Sequence, residues 1–311
     1  MIENLNQLCF FAVLYVFNFT SFLANDYIIN SFDNHQIYGT LSQSDKSNSP
    51  LAVIISGSGP TDRDGNNISL KSDYLKMLAE GLYENGISTY RYDKRGVGKS
   101  LGIIKSSNEI KFSDYLNDAV AIIKHFKTTE RFKSIVVIGH SEGALIGMIA
   151  SKSLADGFIS IAGSSEDYLT LIERQLSIQP EYVKLVSAPI LEQLKNNKLV
   201  DSVPPLLNSL FRPNVQKFLI EASSYNPVLE ISKLNIPILI IQGTNDIQID
   251  VNDAIMLNKA AKFSRLKIID GMNHVFRQAS KNRLLNLQTY GNPELPIDNN
   301  MINLIADFIE D

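Results

Sequence analysis

The chain has 311 residues, of which 44% are hydrophobic and 20% charged, and its formal net charge is −4. This apolar share excludes a disordered chain, and a chain of this length can bury a large core without disulfide or metal staples. The mildly acidic balance argues against a nucleic-acid partner, which requires a clustered basic face. The single cysteine, Cys9, excludes an intrachain disulfide, a cysteine zinc site and a Cys-x-x-Cys redox pair.

An apolar run, Leu8–Leu23, stands near the start of the chain. It is shorter than the roughly 20 residues of a membrane span and is typical of the apolar region of a secretory signal. Two features argue against a secretory signal. No basic residue precedes the apolar run, since the first one is Lys46, and cleavage after Ala24 would place Phe22 at a position where a small residue is preferred. We expect residues 1–24 to be a signal peptide or membrane anchor, with a buried helix or a misplaced start codon as alternatives. If the segment is a signal or anchor, the protein is expected to be exported or membrane-anchored; otherwise it is expected to be cytoplasmic. Membrane association is expected only through this segment.

After this segment, short β-branched runs alternate with longer stretches of helical periodicity. The first two runs flank the turn signal Asp33-Asn34 and predict a hairpin. The later runs are continuously apolar and are joined by helical connections, which predicts a mostly parallel sheet covered by helices on both faces. The eight predicted strands are Tyr27–Phe32, Gln36–Leu41, Leu51–Ile55, Ile87–Tyr92, Ser134–Gly139, Phe158–Ala162, Ile236–Gln242 and Leu266–Ile269. The predicted helices between and after them are Lys71–Tyr83, Phe112–Phe126, Ala144–Leu154, Asn252–Ala261 and Met301–Ile309.

One connection, Ser164–Asn235, is different, because it runs for about 70 residues without a strand-like stretch, which is too long for a plain loop. It contains amphipathic stretches, such as Tyr168–Leu176 and Glu181–Leu194, and we expect its prolines to break them. Those prolines are Pro180, Pro189, Pro204, Pro205 and Pro213. The pattern predicts a helical cap at residues 164–224, inserted between the sixth and seventh strands of a core formed by residues 25–163 and 225–311.

The motif that carries chemistry is a G-x-S-x-G pattern at Gly139–Gly143. Such a pattern forms a tight turn between a strand and a helix, with the serine hydroxyl exposed at its apex. The chain holds a second copy at Gly98–Gly102, but only the copy around Ser141 directly follows an apolar strand and opens an apolar helix. Ser141 is therefore the candidate nucleophile, and Ser100 is expected to be a loop residue.

A serine hydroxyl needs a base to take its proton, and the base must itself be oriented by an acid. A strand-to-helix turn of this kind, with the serine at its apex, is called a nucleophile elbow. In chains that carry one, the catalytic residues follow along the sequence in the order serine, acid, histidine. Of the four histidines, His35, His125 and His140 do not follow Ser141, so His274 is the candidate base.

Asp246 is the first carboxylate after the predicted strand Ile236–Gln242, which makes it the candidate acid. Asp250 is the main alternative, while Asp270 is expected to be a loop or capping residue.

An oxyanion hole requires two backbone donors, one of them on the residue after the nucleophile, Glu142. The other should lie in the small-residue loop after the third strand, where the backbone can approach a ligand oxygen closely. We expect the N–H of Ser58 to be this donor, with Gly57 and Gly59 as neighbours that could replace it.

These residues resemble the α/β-hydrolase superfamily, in particular its serine aminopeptidase-like and carboxylesterase-like branch. The resemblance covers Asp26–Gly163 and Tyr225–Asp311 and implies Ser141, Asp246 and His274 as a catalytic triad. Many members carry His-Gly after the third strand, where this chain has Ser56-Gly57. The stretches that carry the resemblance are SGSGPTDRDGN (Ser56–Asn66), RYDKRGVGKS (Arg91–Ser100), VIGHSEG (Val137–Gly143), QGTNDIQI (Gln242–Ile249) and GMNH (Gly271–His274).

The favoured function is hydrolysis of small acyl esters through an acyl-enzyme on Ser141, without a metal or cofactor. A serine aminopeptidase acting on short peptides, a thioesterase and a non-catalytic binding protein are the alternatives. An aminopeptidase would need carboxylates near the site to hold the substrate ammonium group. The cap offers Glu166, Asp167, Glu173 and Glu181.

The chain holds further polar residues around these motifs. The Gly-Lys-Ser at 98–100 lacks the first glycine of a phosphate-binding loop, and Asp62–Asn66 lacks the spacing of a calcium loop, so we expect plain polar turns there. Asp93 and Arg95 are expected to brace the loop beside the site or to be solvated, and His140 is a possible supporting residue within the elbow.

Overall fold

The computed structural model describes residues 24–102 and 110–311. The predicted signal or anchor at residues 1–24 therefore lies outside the described residues, apart from Ala24. Within the described part, no helix combines the length and the apolar character needed to cross a bilayer.

Eight strands join into one sheet. They are β1 Ala24–Asn30, β2 Gln36–Ser42, β3 Leu51–Ile55, β4 Ser88–Tyr92, β5 Ile135–His140, β6 Gly157–Ile161, β7 Ile238–Gly243 and β8 Ser264–Ile269. Their order across the sheet is β1-β2-β4-β3-β5-β6-β7-β8. β1 pairs with β2 and β2 with β4 in antiparallel fashion, and every other neighbouring pair is parallel. The predicted hairpin and the predicted mostly parallel eight-stranded sheet are confirmed.

Helices follow most of the strands along the chain. Their bounds are α1 Tyr74–Glu84, α2 Phe112–Thr129, α3 Glu142–Ala150, α4 Tyr168–Ser177, α5 Glu181–Lys195, α6 Asn208–Phe211, α7 Pro213–Ser223, α8 Pro227–Ser232, α9 Val251–Ala260, α10 Arg283–Gln288 and α11 Asn299–Glu310.

These helices cover both faces of the sheet, because its central strands are apolar on both sides and must be shielded from water. One face packs against α2, α3, α8 and α9, and the other packs against α1 and α11. Every side chain of β3, β5, β6 and β7 is buried.

Between β6 and β7, the four helices α4 to α7 enclose an apolar cluster of their own, and we call these four helices the cap. The cluster includes Leu169, Ile172 and Leu176 of α4, Leu194 of α5 and Phe211 of α6. The cap therefore has a small core that is separate from the two apolar layers on the faces of the sheet.

The expectation that Pro189 breaks the second amphipathic stretch is wrong, because α5 continues through it. A proline inside a helix removes one backbone hydrogen bond and crowds the preceding turn. Leu185, whose carbonyl oxygen a regular helix would bond to residue 189, is exposed, so water can replace that bond. Ile190 and Leu194 beyond the proline are buried in the cap cluster, and this packing holds the helix together.

The start of α3 lies directly on the end of β3, and Gly143 makes this approach possible. A side chain at position 143 would press on the carbonyl oxygen of Ile55 and would lie 2.7 Å from that of Ser56. Both contacts are with backbone, which cannot move aside without displacing the strand. Because Gly143 has no side chain, the elbow can lie this close to the loop that follows β3.

Gly143→Ala is expected to lower the free energy of unfolding by about 2–3 kcal/mol, because the added methyl group overpacks against strand backbone. Gly157→Ala is the matched control, since its nearest neighbour, a methyl group of Val136, would lie at an ordinary 3.4 Å. The control should change the free energy of unfolding by less than about 1 kcal/mol. Urea denaturation of both variants measures the difference, and equal losses would contradict the close approach.

Candidate active site

Ser141 occupies a one-residue turn between β5, which ends at His140, and α3, which begins at Glu142. Its backbone has φ 55° and ψ −119°, a conformation that residues other than glycine rarely adopt. Strain of this kind costs about 1–3 kcal/mol and persists only where the surroundings enforce it. The backbone N–H of Ser141 donates to the carbonyl of Ile161 at 3.0 Å, which ties the turn to the neighbouring strand β6.

Asp246 and His274 form a buried pair beside the ends of β7 and β8. The Nδ1 atom of His274 lies 2.8 Å from Oδ2 of Asp246, and both side chains are almost fully buried. An ionised carboxylate can only accept, so Nδ1–H donates and Nε2 is left as the basic nitrogen. The other carboxylate oxygen accepts from the backbone N–H groups of Gln248 and Ile249, which holds Asp246 in position.

The alternative candidates have structural roles in this fold. Asp250 caps the N-terminus of α9 by accepting from the N–H of Asn252 at 2.8 Å. Asp270 accepts from the hydroxyl of Thr244. The serine of the second G-x-S-x-G copy, Ser100, is fully buried, and its hydroxyl accepts from a backbone N–H of β2.

His140 connects the elbow to the loop that carries His274. Its Nε2–H donates to the backbone carbonyl of His274 at 2.9 Å, and its Nδ1 accepts from the hydroxyl of Tyr74 at 3.1 Å. Burial, and then the nearby His274, hold the pKa of His140 well below its ordinary value, which agrees with a neutral ring. The two imidazole rings lie 4.7 Å apart between centroids, so His274 stands next to the elbow.

Within the described residues, the Ser141 hydroxyl makes no hydrogen bond to His274. Such bonds are often long in a site without substrate and shorten only when substrate is present. The geometry thus brings Asp246 and His274 into direct contact and places Ser141 at the neighbouring turn.

The predicted oxyanion loop lies directly over the elbow. A side chain at Gly57 would lie 3.2 Å from Cβ of Ser141, so this backbone passes as close to Ser141 as packing allows. Ser58 and Glu142 both line the same cavity as Ser141. Glu142 is the first residue of α3, and the first N–H groups of a helix have no partner within it.

Asp93 and Arg95 brace the loops around the site. Asp93 accepts from the side chain of Arg63 at 2.8 Å and from the backbone N–H of Lys99 at 2.9 Å, so it joins the loops after β3 and β4. Arg95 donates to Asp118 at 2.7 Å and to Asp33 at 2.6 Å. The bond to Arg95 lowers the pKa of Asp33 to about 2.

Two residues that the sequence analysis did not single out, Lys94 and Tyr168, lie against the elbow. Lys94 Nζ is 2.8 Å from Oε1 of Glu142 and 2.5 Å from the carbonyl oxygen of Gly57. The hydroxyl of Tyr168, the first residue of α4, donates to Oε2 of Glu142 at 2.7 Å. Lys94 stood within a stretch that carried the family resemblance, but its burial depends on residues far along the chain.

A cavity of about 390 Å³ opens above Ser141 between the core and the cap. Most of its side chains are apolar, among them Tyr115, Leu145, Leu171, Val215, Phe218 and Leu219. A second cavity of about 390 Å³ adjoins it under the cap and shares the wall formed by Ile172, Gln175, Leu210 and Gln248. Among residues 24–102 and 110–311, no group of three or more His, Cys, Asp or Glu side chains is arranged to hold a metal ion.

A family model described as serine aminopeptidase, S33 (Hydrolase_4) matches residues 70–277, more than half of the chain. The chain belongs to this α/β-hydrolase family. The resemblance stated from the sequence motifs is thereby confirmed, while the roles of the individual site residues stay predictions.

Two relatives with similar sequences carry esterase or lipase names. Esterase EstD of Thermotoga maritima is 29% identical over 238 residues, which cover 73% of this chain. Because those residues are 54% of the relative, the chain spans about half of its length. A monoglyceride lipase homolog of Monkeypox virus is 26% identical over 63% of this chain and 75% of its own length.

Solved structures of low sequence identity share the α/β-hydrolase fold, which confirms the predicted fold class. Est1E from Butyrivibrio proteoclasticus, in a structure with bound ferulic acid, matches with a TM-score of 0.62 at 17% identity. The match covers 92% of this chain and all of that one. The Pyrococcus furiosus esterase Pf2001 matches with a TM-score of 0.59 at 18% identity, covering 93% of this chain and 91% of the other.

The neutral state of His140 predicts a pH dependence of stability. The unfolded chain binds a proton at this position below pH about 6.5, whereas the folded chain binds it only at lower pH. The contribution to the free energy of unfolding is therefore complete above pH about 6.5 and declines as the pH falls, by up to about 1.4 kcal/mol per pH unit.

His140→Asn keeps a side-chain donor but cannot titrate. It should therefore remove the contribution of His140 to the pH dependence of the free energy of unfolding. Urea denaturation of the wild type and the variant at pH 5 and pH 7.5 gives the comparison. The same pH dependence in both proteins would show that His140 is not held neutral.

Proposed function

We propose that this protein is a serine hydrolase of carboxylic esters, with Ser141 as nucleophile, His274 as general base and Asp246 as the acid that orients it. The observation that carries the proposal is the buried Asp246–His274 pair, joined through His140 to the strained turn of Ser141. A strained serine beside an oriented imidazole is the arrangement that activates a hydroxyl for attack on an acyl carbon.

The reaction follows from these positions. Nε2 of His274 takes the proton of the Ser141 hydroxyl as its oxygen bonds to the ester carbonyl carbon, and then returns the proton to the departing alcohol. Asp246 stabilises the imidazolium that forms between these steps. The N–H groups of Ser58 and Glu142 hold the oxyanion, where one donor is typically worth about 3–4 kcal/mol in the transition state. Water, activated by His274, then releases the acid from the acyl-enzyme.

The cavity supports an ester with an apolar acyl or alcohol group. Aromatic and aliphatic side chains of the core and the cap, such as Tyr115, Leu145, Phe218 and Leu219, surround the space above the nucleophile. The names of the relatives, an esterase and a monoglyceride lipase homolog, agree with this class of substrate. The adjoining second cavity leaves room under the cap for a longer chain.

The cap carboxylates that an aminopeptidase could use for a substrate ammonium group are already bonded. Glu166 pairs with Arg174 at 2.7 Å, although it lines the cavity. Asp167 caps α4 by accepting from the backbone N–H of Thr170. Glu173 and Glu181 pair with lysines of the cap, Lys195 and Lys184. This arrangement favours ester over peptide substrates.

Ser141→Ala should lower kcat/KM for p-nitrophenyl butyrate by at least about a thousandfold, because the acyl-enzyme cannot form. Ser100→Ala, the same change in the second G-x-S-x-G copy, should leave kcat within about threefold of the wild type. Activity that survives in Ser141→Ala, or no ester hydrolysis by the folded wild type together with cleavage of aminoacyl p-nitroanilides, would contradict the proposal.

Asp246→Asn should lower kcat by about a thousandfold or more, because an amide can hold His274 in the wrong tautomer. Asp250→Asn is the matched control, since asparagine caps a helix about as well as aspartate and Asp250 touches neither His274 nor Ser141. Steady-state kinetics of both variants separates the two candidate acids. A larger loss in Asp250→Asn would reverse the assignment.

A further inference from the structure

Three polar side chains form one buried cluster beneath the oxyanion loop: Lys94 in the loop after β4, Glu142 directly after Ser141, and Tyr168 at the start of the cap. Lys94 Nζ contacts Glu142 at 2.8 Å and the carbonyl oxygen of Gly57 at 2.5 Å. The lysine is 1% exposed, so this contact is made away from solvent. The ester-hydrolysis scheme above gives Lys94 no part in the reaction.

We propose that Lys94 is a positioning residue, which fixes the Gly57–Ser58 peptide so that the Ser58 N–H points at the oxyanion. The inference rests on the proposed function, because it names what orients one of the two oxyanion donors.

The planarity of the peptide bond connects Lys94 to the donor. The Gly57 carbonyl and the Ser58 N–H belong to one peptide unit, and the described residues contain no cis peptide bond. In a trans unit these two groups point in opposite directions. Lys94 does not line the cavity, whereas Ser58 does. A carbonyl held by Lys94 on the buried side therefore turns the Ser58 N–H toward the cavity that contains Ser141.

The charge of Lys94 has a second effect on the same peptide. An ammonium group that binds a carbonyl oxygen away from water polarises the peptide unit and makes its N–H a stronger donor. Glu142 is 2% exposed in its side chain and balances this charge, which a buried lysine requires. The ring of Tyr115 lies 5.1 Å from Nζ and adds a cation–π contact.

Tyr168 links the cluster to the cap. Its hydroxyl donates to Glu142 at 2.7 Å. The side chain of Ser58 also interacts with the Tyr168 hydroxyl. Desolvation of the phenol, followed by the charge of Glu142, holds the pKa of Tyr168 well above its ordinary value, so the hydroxyl stays protonated and remains a donor. Glu142 is thus held by Lys94 from the core and by Tyr168 from the cap.

The test is the double variant Lys94→Met/Glu142→Gln, because removing one charge alone would leave the other buried and unpaired. We expect a folded protein whose kcat for p-nitrophenyl butyrate is about 10- to 100-fold lower, with KM within about threefold, since only transition-state binding is lost. Phenylboronic acid, which bonds to Ser141 and presents a boron-bound oxygen to the oxyanion hole, should bind more weakly by a similar factor.

The matched control is Arg91→Met/Asp64→Asn, which removes a different buried cation, on β4 itself, and its partner at 2.7 Å. This pair touches neither Gly57 nor Ser141, so kcat should stay within about threefold of the wild type. If Lys94 and Glu142 only balance each other's charge, their double variant will retain wild-type kcat and boronate affinity. That result would overturn the inference.

Tyr168→Phe keeps the inference testable if the double variant does not fold, because it removes a single hydroxyl. We expect kcat to fall about 3- to 10-fold at nearly constant KM, and unchanged kcat and boronate affinity would count against the cluster. A loss of at least about a thousandfold in kcat/KM in Ser141→Ala supports the proposed function independently. The failure of one claim is therefore distinguishable from the failure of the other.

Discussion

The site depends on the tight turn at Ser141, where β5 ends and α3 begins without a connecting loop. The turn places a non-glycine residue at positive φ, and it requires α3 to start against the end of β3. Gly143 allows this contact because a side chain there would meet strand backbone. The loop after β3 is consequently held over Ser141, and its distance from that residue is set by packing in the centre of the sheet.

The loops that complete the site are attached to this turn by buried hydrogen bonds. His140 donates to the carbonyl of His274, so His274 is positioned from within the elbow itself. Lys94 and Glu142 attach the oxyanion loop to the first turn of α3, and Tyr168 extends the same contacts into the cap. Burial strengthens each of these bonds and makes its loss costly, because an unpaired group could not return to water.

The sequence was most informative where the candidate site follows from the order of motifs along the chain. The strand–serine–helix succession around Ser141, and the position of Asp246 and His274 after later strands, follow from motif order and need no contact information. Continuous apolar runs predicted the later strands, of which β3, β5, β6 and β7 are buried on both faces. The first two strands followed from short β-branched runs around the turn signal Asp33-Asn34. Local propensity predicts a helix break at Pro189, and this prediction is wrong because packing within the cap maintains the helix.

Two supporting groups, Lys94 and Tyr168, could not be found in this way, because their roles arise from contacts between distant segments. Lys94 reads as an ordinary surface lysine until the fold places it between Gly57 and Glu142. Tyr168 reads as a helix residue of the cap until its hydroxyl is seen to reach the elbow. The cap carboxylates show the converse, because four acidic residues that a peptidase could use are bonded to neighbours.

The identity of the nucleophile is tested most directly by covalent labelling with a p-nitrophenyl alkylphosphonate. Attack by an activated serine forms a bond to phosphorus and releases p-nitrophenolate, which leaves a stable adduct that mass spectrometry can locate. We expect one adduct per chain, on the peptide that contains Ser141, and no adduct in Ser141→Ala. An adduct on another serine, or no labelling of the folded protein, would contradict this expectation.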